Sequence, residues 1–219
     1  GSTALTSLTT DAGGTVSLQN VTTTGVQSYG ENATLNGTYR TTNNSAFSVA
    51  GTTTLGGGTT VIVGSSAVTF TGAVNGANTL EINSTAATLF SAAVGGSTAL
   101  TSLTTDAGGT VSLQSVTTTG AQSYGEIATL NGTYTTTNAD MTLSGTVNIT
   151  GNSTITAGSG TVTLGAATLS DGVTLTLGTG GSGAITATSF AGTAAGTASN
   201  VTFNVTGAVT VSGTIGTDI

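Results

Sequence analysis

Hydrophobic and polar residues alternate in short stretches along the whole chain of 219 residues. In each stretch, apolar residues are separated by single polar ones, a period of two that is typical of a strand with one buried face. The stretches include Val16/Leu18, Ala33/Leu35, Phe47/Val49, Val68/Phe70, Leu80/Ile82, Val111/Leu113, Val162/Leu164, Val173/Leu175/Leu177, Val201/Phe203/Val205 and Val209/Val211. No stretch of ten or more residues has the 3.6-residue period of a helix. The pattern therefore predicts an all-β protein.

Turn-forming residues lie between the predicted strands. Glycine and asparagine tolerate the positive φ angles that tight corners require. The clearest examples are Asn36-Gly37, Gly56-Gly57-Gly58, Asn75-Gly76, Asp171-Gly172 and Gly180-Gly181. The strands are therefore expected to be short and to end at sharp corners.

The chain contains an internal repeat. Residues 1–43 align with residues 96–138 without a gap, and 39 of the 43 positions are identical. The differences are Asn20 to Ser115, Val26 to Ala121, Asn32 to Ile127 and Arg40 to Thr135. Beyond this block only the apolar pattern continues. We interpret the chain as units 1–95 and 96–190 with a partial third unit, 191–219. It begins inside a repeat, as a fragment of a longer array or a stacking subunit would.

Two architectures are built from many short strands. A sandwich or barrel needs no sequence repetition, whereas a solenoid stacks similar coils and favours self-similarity. The repeat therefore favours a single parallel β-solenoid over residues 1–219, with about 11 coils of roughly 19 residues. At roughly 4.8 Å per coil, such a rod would be roughly 50–55 Å long.

The composition excludes several classes of function. His, Cys, Pro and Trp are absent, and Arg40 is the only basic residue against eight acidic ones, giving a net charge of −7. The absence of His and Cys removes Ser-His and Cys-His nucleophiles and nitrogen or sulfur zinc ligands. The lack of basic residues disfavours nucleic-acid binding, and no apolar run approaches the roughly 18 residues of a membrane span. We predict no enzymatic activity, cofactor, nucleic-acid partner or membrane insertion.

Two pairs of acidic residues form the most specific candidate site. Asp11 and Glu31 form the first pair, which recurs as Asp106 and Glu126. The separation within each pair is close to the expected length of one coil, so the carboxylates could stack and bind Ca²⁺, which prefers several oxygen ligands. The favoured alternative is a turn aspartate and a solvated glutamate. We therefore assign no catalytic, cofactor-binding or metal-binding residue.

Threonine runs and tyrosines offer two further candidate surfaces. The runs at 22–24, 52–54, 117–119 and 135–137 suggest an ice-binding face. Such a face needs threonine at one fixed coil position, and the runs do not recur at a constant step, so ordinary β-propensity is favoured. Tyr29, Tyr39, Tyr124 and Tyr134 repeat with the unit. They could bind glycans as a surface row, but packing in the core or at corners is favoured.

Several segments resemble a known class of bacterial surface protein. The segments 22–30 (TTTGVQSYG), 33–37 (ATLNG) and 74–80 (VNGANTL) resemble repeats of filamentous-haemagglutinin-like and autotransporter-like adhesins. The resemblance implies a right-handed parallel β-helix in a secreted or surface-exposed, non-enzymatic fibre. We expect an extracellular structural or adhesive segment that associates with itself end to end or forms an adhesin stalk. The alternatives are binding modules for ice, for glycans of a host or matrix, or for Ca²⁺.

Overall fold

The computed structural model describes residues 4–193, 196–216 and 218–219. All regular elements of this part of the chain are β-strands. The strands of the first unit are β1 (Leu8–Thr10), β2 (Thr15–Thr23), β3 (Gln27–Tyr29), β4 (Asn32–Thr41), β5 (Phe47–Val49), β6 (Thr53–Gly64), β7 (Val68–Phe70), β8 (Val74–Asn75), β9 (Thr79–Ser84) and β10 (Ala87–Phe90). They are followed by β11 (Ser102–Thr105), β12 (Thr110–Leu113), β13 (Val116–Thr118), β14 (Gln122–Tyr124), β15 (Ile127–Leu130), β16 (Thr133–Thr136), β17 (Met141–Leu143), β18 (Val147–Ile149), β19 (Ser153–Thr156), β20 (Val162–Leu169), β21 (Thr174–Gly181), β22 (Ile185–Gly192), β23 (Asn200–Val205) and β24 (Val209–Val211).

Each coil has three sides, and the long strands β2, β4, β6, β20 and β22 each cover two of them. Equivalent segments of successive coils pair in parallel, and between β8 and β13 the pairing runs through the single bridge residue Val94. The resulting ladders define three faces, which the chain visits in the order A, B, C. Face A contains β1, β3, β5, β7, β10, β12, β15, β18 and the second halves of β20 and β22. Face B contains the first halves of β2, β4 and β6, then β8, β13, β16, β19, β21 and β23. Face C contains the second halves of β2, β4 and β6, then β9, β11, β14, β17, the first halves of β20 and β22, and β24.

The predicted fold is confirmed as an all-β parallel solenoid of about 10 turns. The coils are uneven in length. Val111 pairs with Ala128 after a short step along the sequence, whereas Phe190 pairs with Ile215 after a much longer one. The variation lies in the corners, where loops of different length join strands that keep their register. A single coil length is therefore only an average description.

The 95-residue repeat is not a whole number of coils. Tyr29 lies on face A, and four steps along that face lead from Tyr29 to the strand that contains Leu113. Tyr124, the equivalent of Tyr29 in the second unit, lies two faces further along, on face C. One unit thus spans four coils and two thirds of a fifth. Consequently, the two copies of each repeated segment lie on different faces of the rod.

The core is a continuous column of inward-facing side chains. Most strands show a buried–outward–buried pattern, as in β3, β5 and β7. Aromatic rings from successive coils contact one another, with Phe70 and Phe90 stacked at 5.2 Å between ring centroids. The period-two pattern of the sequence corresponds directly to this arrangement, because alternate side chains of a strand point to opposite faces.

Polar side chains at the corners join successive coils. Asn20 adopts a φ of 51°, and its Oδ1 accepts a hydrogen bond from the Thr38 N–H (2.8 Å). Asn152 Oδ1 accepts from the Thr174 N–H (2.8 Å) in the same way. Further bonds of this type have Asn32, Asn44, Asn75, Asn138 and Asp140 as acceptors. Each bond spans one coil, so the corner residues of the sequence stabilise stacking as well as turns.

Candidate functional site

The acidic pair of the second unit lies at one corner of the solenoid, between faces C and A. A loop of residues 106–109 (Asp-Ala-Gly-Gly) joins β11 to β12, and Glu126 lies between β14 and β15 in the next coil. The coils are close here, because the Gly125 N–H donates to the Thr105 carbonyl (3.3 Å). A Cβ at Gly125 would lie only 2.7 Å from the Asp106 carbonyl oxygen. The structure therefore brings Asp106 and Glu126 to the same corner of adjacent coils.

Glu126 is buried, with 3% of its surface exposed. Among the described residues, neither carboxylate oxygen has a hydrogen-bond partner. Burial raises the pKa of Glu126 to about 7; the nearby Asp106 carboxylate also raises it, and the Thr105 hydroxyl offsets part of the rise. The expectation of a solvated glutamate is therefore wrong for Glu126, because the neighbouring coils cover it. The expectation of a turn residue suits Asp106, whose Oδ1 accepts from the Ser84 N–H (3.1 Å).

An equivalent corner exists in the first unit. Glu31 lies under the loop 11–14, and a Cβ at Gly14 would lie 2.5 Å from Glu31 Oε2. Glu31 is only half-buried because its coil is close to the N-terminal end of the rod. Thr10 and Thr105 occupy equivalent positions, and the Oγ1 of each is buried without a hydrogen-bond partner in the described residues. The arrangement of threonine, aspartate and glutamate is thus a repeated feature.

The four tyrosines are buried and cannot form a surface row for glycans. The Tyr39 hydroxyl donates to the Leu18 carbonyl (2.7 Å) and accepts from the Asn36 N–H (3.0 Å). Tyr134 makes the equivalent bonds in the second unit. Burial raises the pKa of Tyr29, Tyr39, Tyr124 and Tyr134. The prediction of core and corner packing is confirmed.

Sequence analysis overlooked two buried glutamines. Gln27 Nε2 donates to the Val21 and Arg40 carbonyls (3.3 and 2.9 Å) and to Thr23 Oγ1 (3.2 Å), and its Oε1 accepts from the Tyr29 hydroxyl (3.1 Å). Gln122 makes the same four bonds in the second unit. The signal was present in the segment Gln-Ser-Tyr, where glutamine lies two positions before an inward-facing tyrosine. This network is structural, since all its groups are satisfied inside the core.

The threonine runs do not form a flat surface. In each run the middle residue points into the solenoid, and its neighbours point outward. The buried middle residues are Thr23, Thr53, Thr118 and Thr136. Thr23 Oγ1 and Thr118 Oγ1 each donate to a nearby glycine carbonyl, that of Gly25 and that of Gly120 (2.6 Å). The runs themselves are therefore corner elements rather than a binding face.

A different set of hydroxyls does occupy a fixed coil position on face C. One outward-facing column carries a hydroxyl at eight of nine levels, with Glu81 as the exception. Its members are Thr38, Thr60, Glu81, Thr104, Ser123, Thr142, Thr163, Thr186 and Thr210. The sequence step between successive members is uneven because the corners differ in length. The threonine runs do not recur at a constant step, as expected, and this column could not be found by looking for one. We name this column the hydroxyl ladder.

The terminal coils expose apolar side chains that point inward elsewhere. Leu5 and Ile215 are each 56% exposed, although their register partners, Thr23 and Phe190, are buried. Val209 is also exposed. Three further large apolar side chains, those of Val26, Leu89 and Ile127, are exposed on the sides of the rod.

Comparisons with known proteins do not assign the chain to a family. No protein family, no curated protein and no solved structure matches this chain. Within the described ranges, no helix is long and apolar enough to span a membrane.

Proposed function

We propose that the chain is a structural segment of a bacterial extracellular or cell-surface fibrous protein, of the filamentous-haemagglutinin-like or autotransporter-like kind. Its role is mechanical, either as part of a fibre formed by end-to-end association or as an adhesin stalk. The observation that carries this proposal is the solenoid itself, in which parallel ladders run along three faces of the described residues. The repeated sequence is consistent with it, because a rod can be lengthened by adding coils that already fit one another.

The internal bonding supports a load-bearing role. Parallel backbone ladders run along all three faces, and asparagine side chains add bonds between coils at the corners. Tension along the rod would act on all three ladders at once. Separating two coils therefore requires many hydrogen bonds to break together, which suits a stalk or a fibre.

The terminal coils are suited to end-to-end stacking, either on a second copy or on further coils of the same protein. Ile215 continues the inward column of Phe190, and Leu5 continues that of Thr23. A strand edge with unpaired backbone groups is a template for another strand, unless charge, proline or a covering element blocks it. The chain contains no proline and only nine charged residues, eight acidic and one basic, in 219. A coil stacked on either end would thus extend both the ladders and the apolar core.

The test compares an end residue with a side residue. Ile215→Lys places a charge over the exposed end, whereas Ile127→Lys places it at a 42%-exposed apolar position on the side of the rod. We expect the unchanged chain and Ile127→Lys to form linear assemblies in negative-stain electron microscopy and sedimentation velocity. We expect Ile215→Lys to remain short. Monomeric particles of the unchanged chain at high concentration would refute self-association, and equal effects of the two variants would refute pairing through the ends.

A second candidate function is favoured by the hydroxyl ladder of face C. Its hydroxyls stand about 4.8 Å apart, the spacing of adjacent strands. Such a regular row could order water and bind ice. Thr142→Lys interrupts this row, whereas Thr129→Lys changes face A, where Leu89, Asn148 and Ala191 already break the hydroxyl column. Thermal hysteresis that Thr142→Lys abolishes and Thr129→Lys preserves would support ice binding; absence of hysteresis in the unchanged chain would remove this candidate.

A further inference from the structure

The buried corner around Glu126 contains an acidic group whose surroundings leave it unsatisfied. Glu126 lies close enough to Asp106 of the preceding coil for the two groups to interact. Neither of its oxygens has a hydrogen-bond partner of normal geometry among the described residues. Thr105 Oγ1 lies beside it, buried and also without a partner. Buried charges in proteins are normally paired or coordinate a metal ion. This corner therefore requires a positive charge or a proton.

The chain itself supplies no such charge at this corner. Arg40 is the only basic residue, and it lies on face C four coils closer to the N-terminus. A proton on Glu126 would remove one negative charge, and the Thr105 oxygen and the Asp106 carboxylate beside it are acceptors for the hydroxyl so formed. One proton balances only one of the two carboxylates. A divalent cation, in contrast, would balance both and bind the threonine oxygen as well.

We propose that the loop 106–109, Thr105 and Glu126 form a binding site for a divalent cation of the calcium type. Carboxylate, hydroxyl and carbonyl oxygens are the ligands that hard cations prefer. Asp106 and Glu126 provide two carboxylates from adjacent coils, and Thr105 provides a hydroxyl. Ala107 and Gly108 are exposed, so the loop gives a short path from solvent to the buried carboxylate.

The repeat reproduces the same group types in the first unit. Thr10, Asp11 and Glu31 lie at the equivalent corner, and Thr10 Oγ1 is likewise buried without a partner among the described residues. Glu31 is half-buried, so water already solvates its charge. We therefore expect stronger cation binding at the second corner than at the first. A cation at Glu126 would clamp two successive coils, because its ligands come from both.

The experiment measures thermal unfolding of the full chain at pH 8 with and without CaCl₂, against NaCl of matched ionic strength. At a hundredfold excess of Ca²⁺ over its dissociation constant, a single site should raise Tm by about 5–10 °C. Glu126→Gln keeps the size of the side chain and should abolish most of this shift. The matched control Glu31→Gln makes the same change at the solvated copy and should retain it. Asp106→Asn gives a second variant in case Glu126→Gln folds poorly.

A direct titration makes the result independent of the variants. Tb³⁺ is a luminescent substitute for Ca²⁺, and its binding to the unchanged chain should saturate and be displaced by Ca²⁺. A Ca²⁺-dependent Tm shift that is lost in Glu126→Gln and Asp106→Asn but kept in Glu31→Gln would support the site. Equal shifts in all variants, or no shift and no saturable Tb³⁺ signal in the unchanged chain, would overturn it and leave the proton as the occupant. Neither outcome depends on end-to-end assembly.

Discussion

The two copies of the repeat have nearly the same sequence but different environments. Leu18 and Leu113 are equivalent inward-facing leucines, yet Leu18 is only partly buried and Leu113 is 1% exposed. Likewise, Glu31 is half-buried whereas Glu126 is buried. The first copy includes the outermost coil, whereas coils cover the second copy on both sides. Burial in this molecule therefore depends on the neighbouring coils and not on the local sequence.

The four sequence differences between the copies show what the corners require. Asn20 accepts a hydrogen bond from the Thr38 N–H, and its replacement, Ser115, accepts one from the Thr133 N–H (3.1 Å). Gln27 and Gln122 bond to the carbonyls of Arg40 and Thr135, so that substitution leaves the bond intact. Only the change from Asn32 to Ile127 removes a side-chain acceptor, the one that binds Thr52. At two of these positions the hydrogen bond is thus retained although the residue type changes.

The largest expected difference between the copies concerns the core leucines. Leu113→Ala leaves a cavity in a fully covered coil and should lower the free energy of unfolding by about 2–5 kcal/mol. Leu18→Ala removes the same atoms from a partly exposed position and should cost less than about half as much. Equilibrium unfolding in guanidinium chloride measures both values. Equal losses would show that the first coil is covered in solution, as it would be in an end-to-end assembly.

The buried glutamines should behave alike in both copies, in contrast to the leucines. Gln27→Leu and Gln122→Leu each leave a tyrosine hydroxyl and a backbone carbonyl without their partner, which should cost about 1–3 kcal/mol. Gln27 and Gln122 are both buried and make the same four hydrogen bonds. The two variants should therefore differ by less than the two leucine variants do. Urea unfolding of each variant, at a concentration low enough to prevent assembly, measures the difference.

Glu126 should make the stability of the chain depend on pH. Because the pKa of Glu126 is raised from 4.5 to about 7 in the folded chain, the folded state binds more protons than the unfolded state between these values. In metal-free buffer, stability should therefore fall as pH rises from about 4.5 through 7 and then level off. Glu126→Gln should remove this component from Tm measured against pH. A Tm–pH profile that Glu126→Gln leaves unchanged would contradict the assignment.

The smallest expected effect lies at the corner where the copies differ. Asn20→Ala removes the acceptor for Thr38 and places alanine at a φ of 51°, so it should cost about 1–2 kcal/mol. Ser115→Ala removes the equivalent acceptor without the positive φ and should cost about 0.5–1.5 kcal/mol. Differential scanning calorimetry can compare the two. A larger loss for Ser115→Ala would show that backbone strain at Asn20 is negligible.

The fold was predictable because strand periodicity and turn residues are local signals. Segments such as Phe47/Val49 and Val68/Phe70 identify their inward faces without any knowledge of the neighbouring strands. Coil length was less predictable, because the corners differ in size, as the short link Gly125-Glu126 and the longer loop 106–109 show, and each change alters the step to the next coil. An average coil length therefore does not predict which residues pair between coils, and so it does not predict the hydroxyl ladder.

The candidate site was predictable only in part. The spacing of Asp106 and Glu126 suggested carboxylates stacked one coil apart, and the structure brings the two residues together at a corner of adjacent coils. The burial of Glu126 could not be inferred, because a nearly identical segment at Glu31 is half-exposed. This difference in burial arises from the position of each coil along the rod. The segments around the two glutamates are nearly identical, so their sequences do not reveal it.

The fractional number of coils in the repeat has a consequence for any longer array of these units. Each added unit turns a given motif by one face, so a motif returns to its first direction only after three units, or about fourteen coils. A repeated recognition element would thus be displayed on all three sides of the rod in rotation. Such a rod would have no front or back, and a partner could approach it from any side and meet the same motif at regular heights.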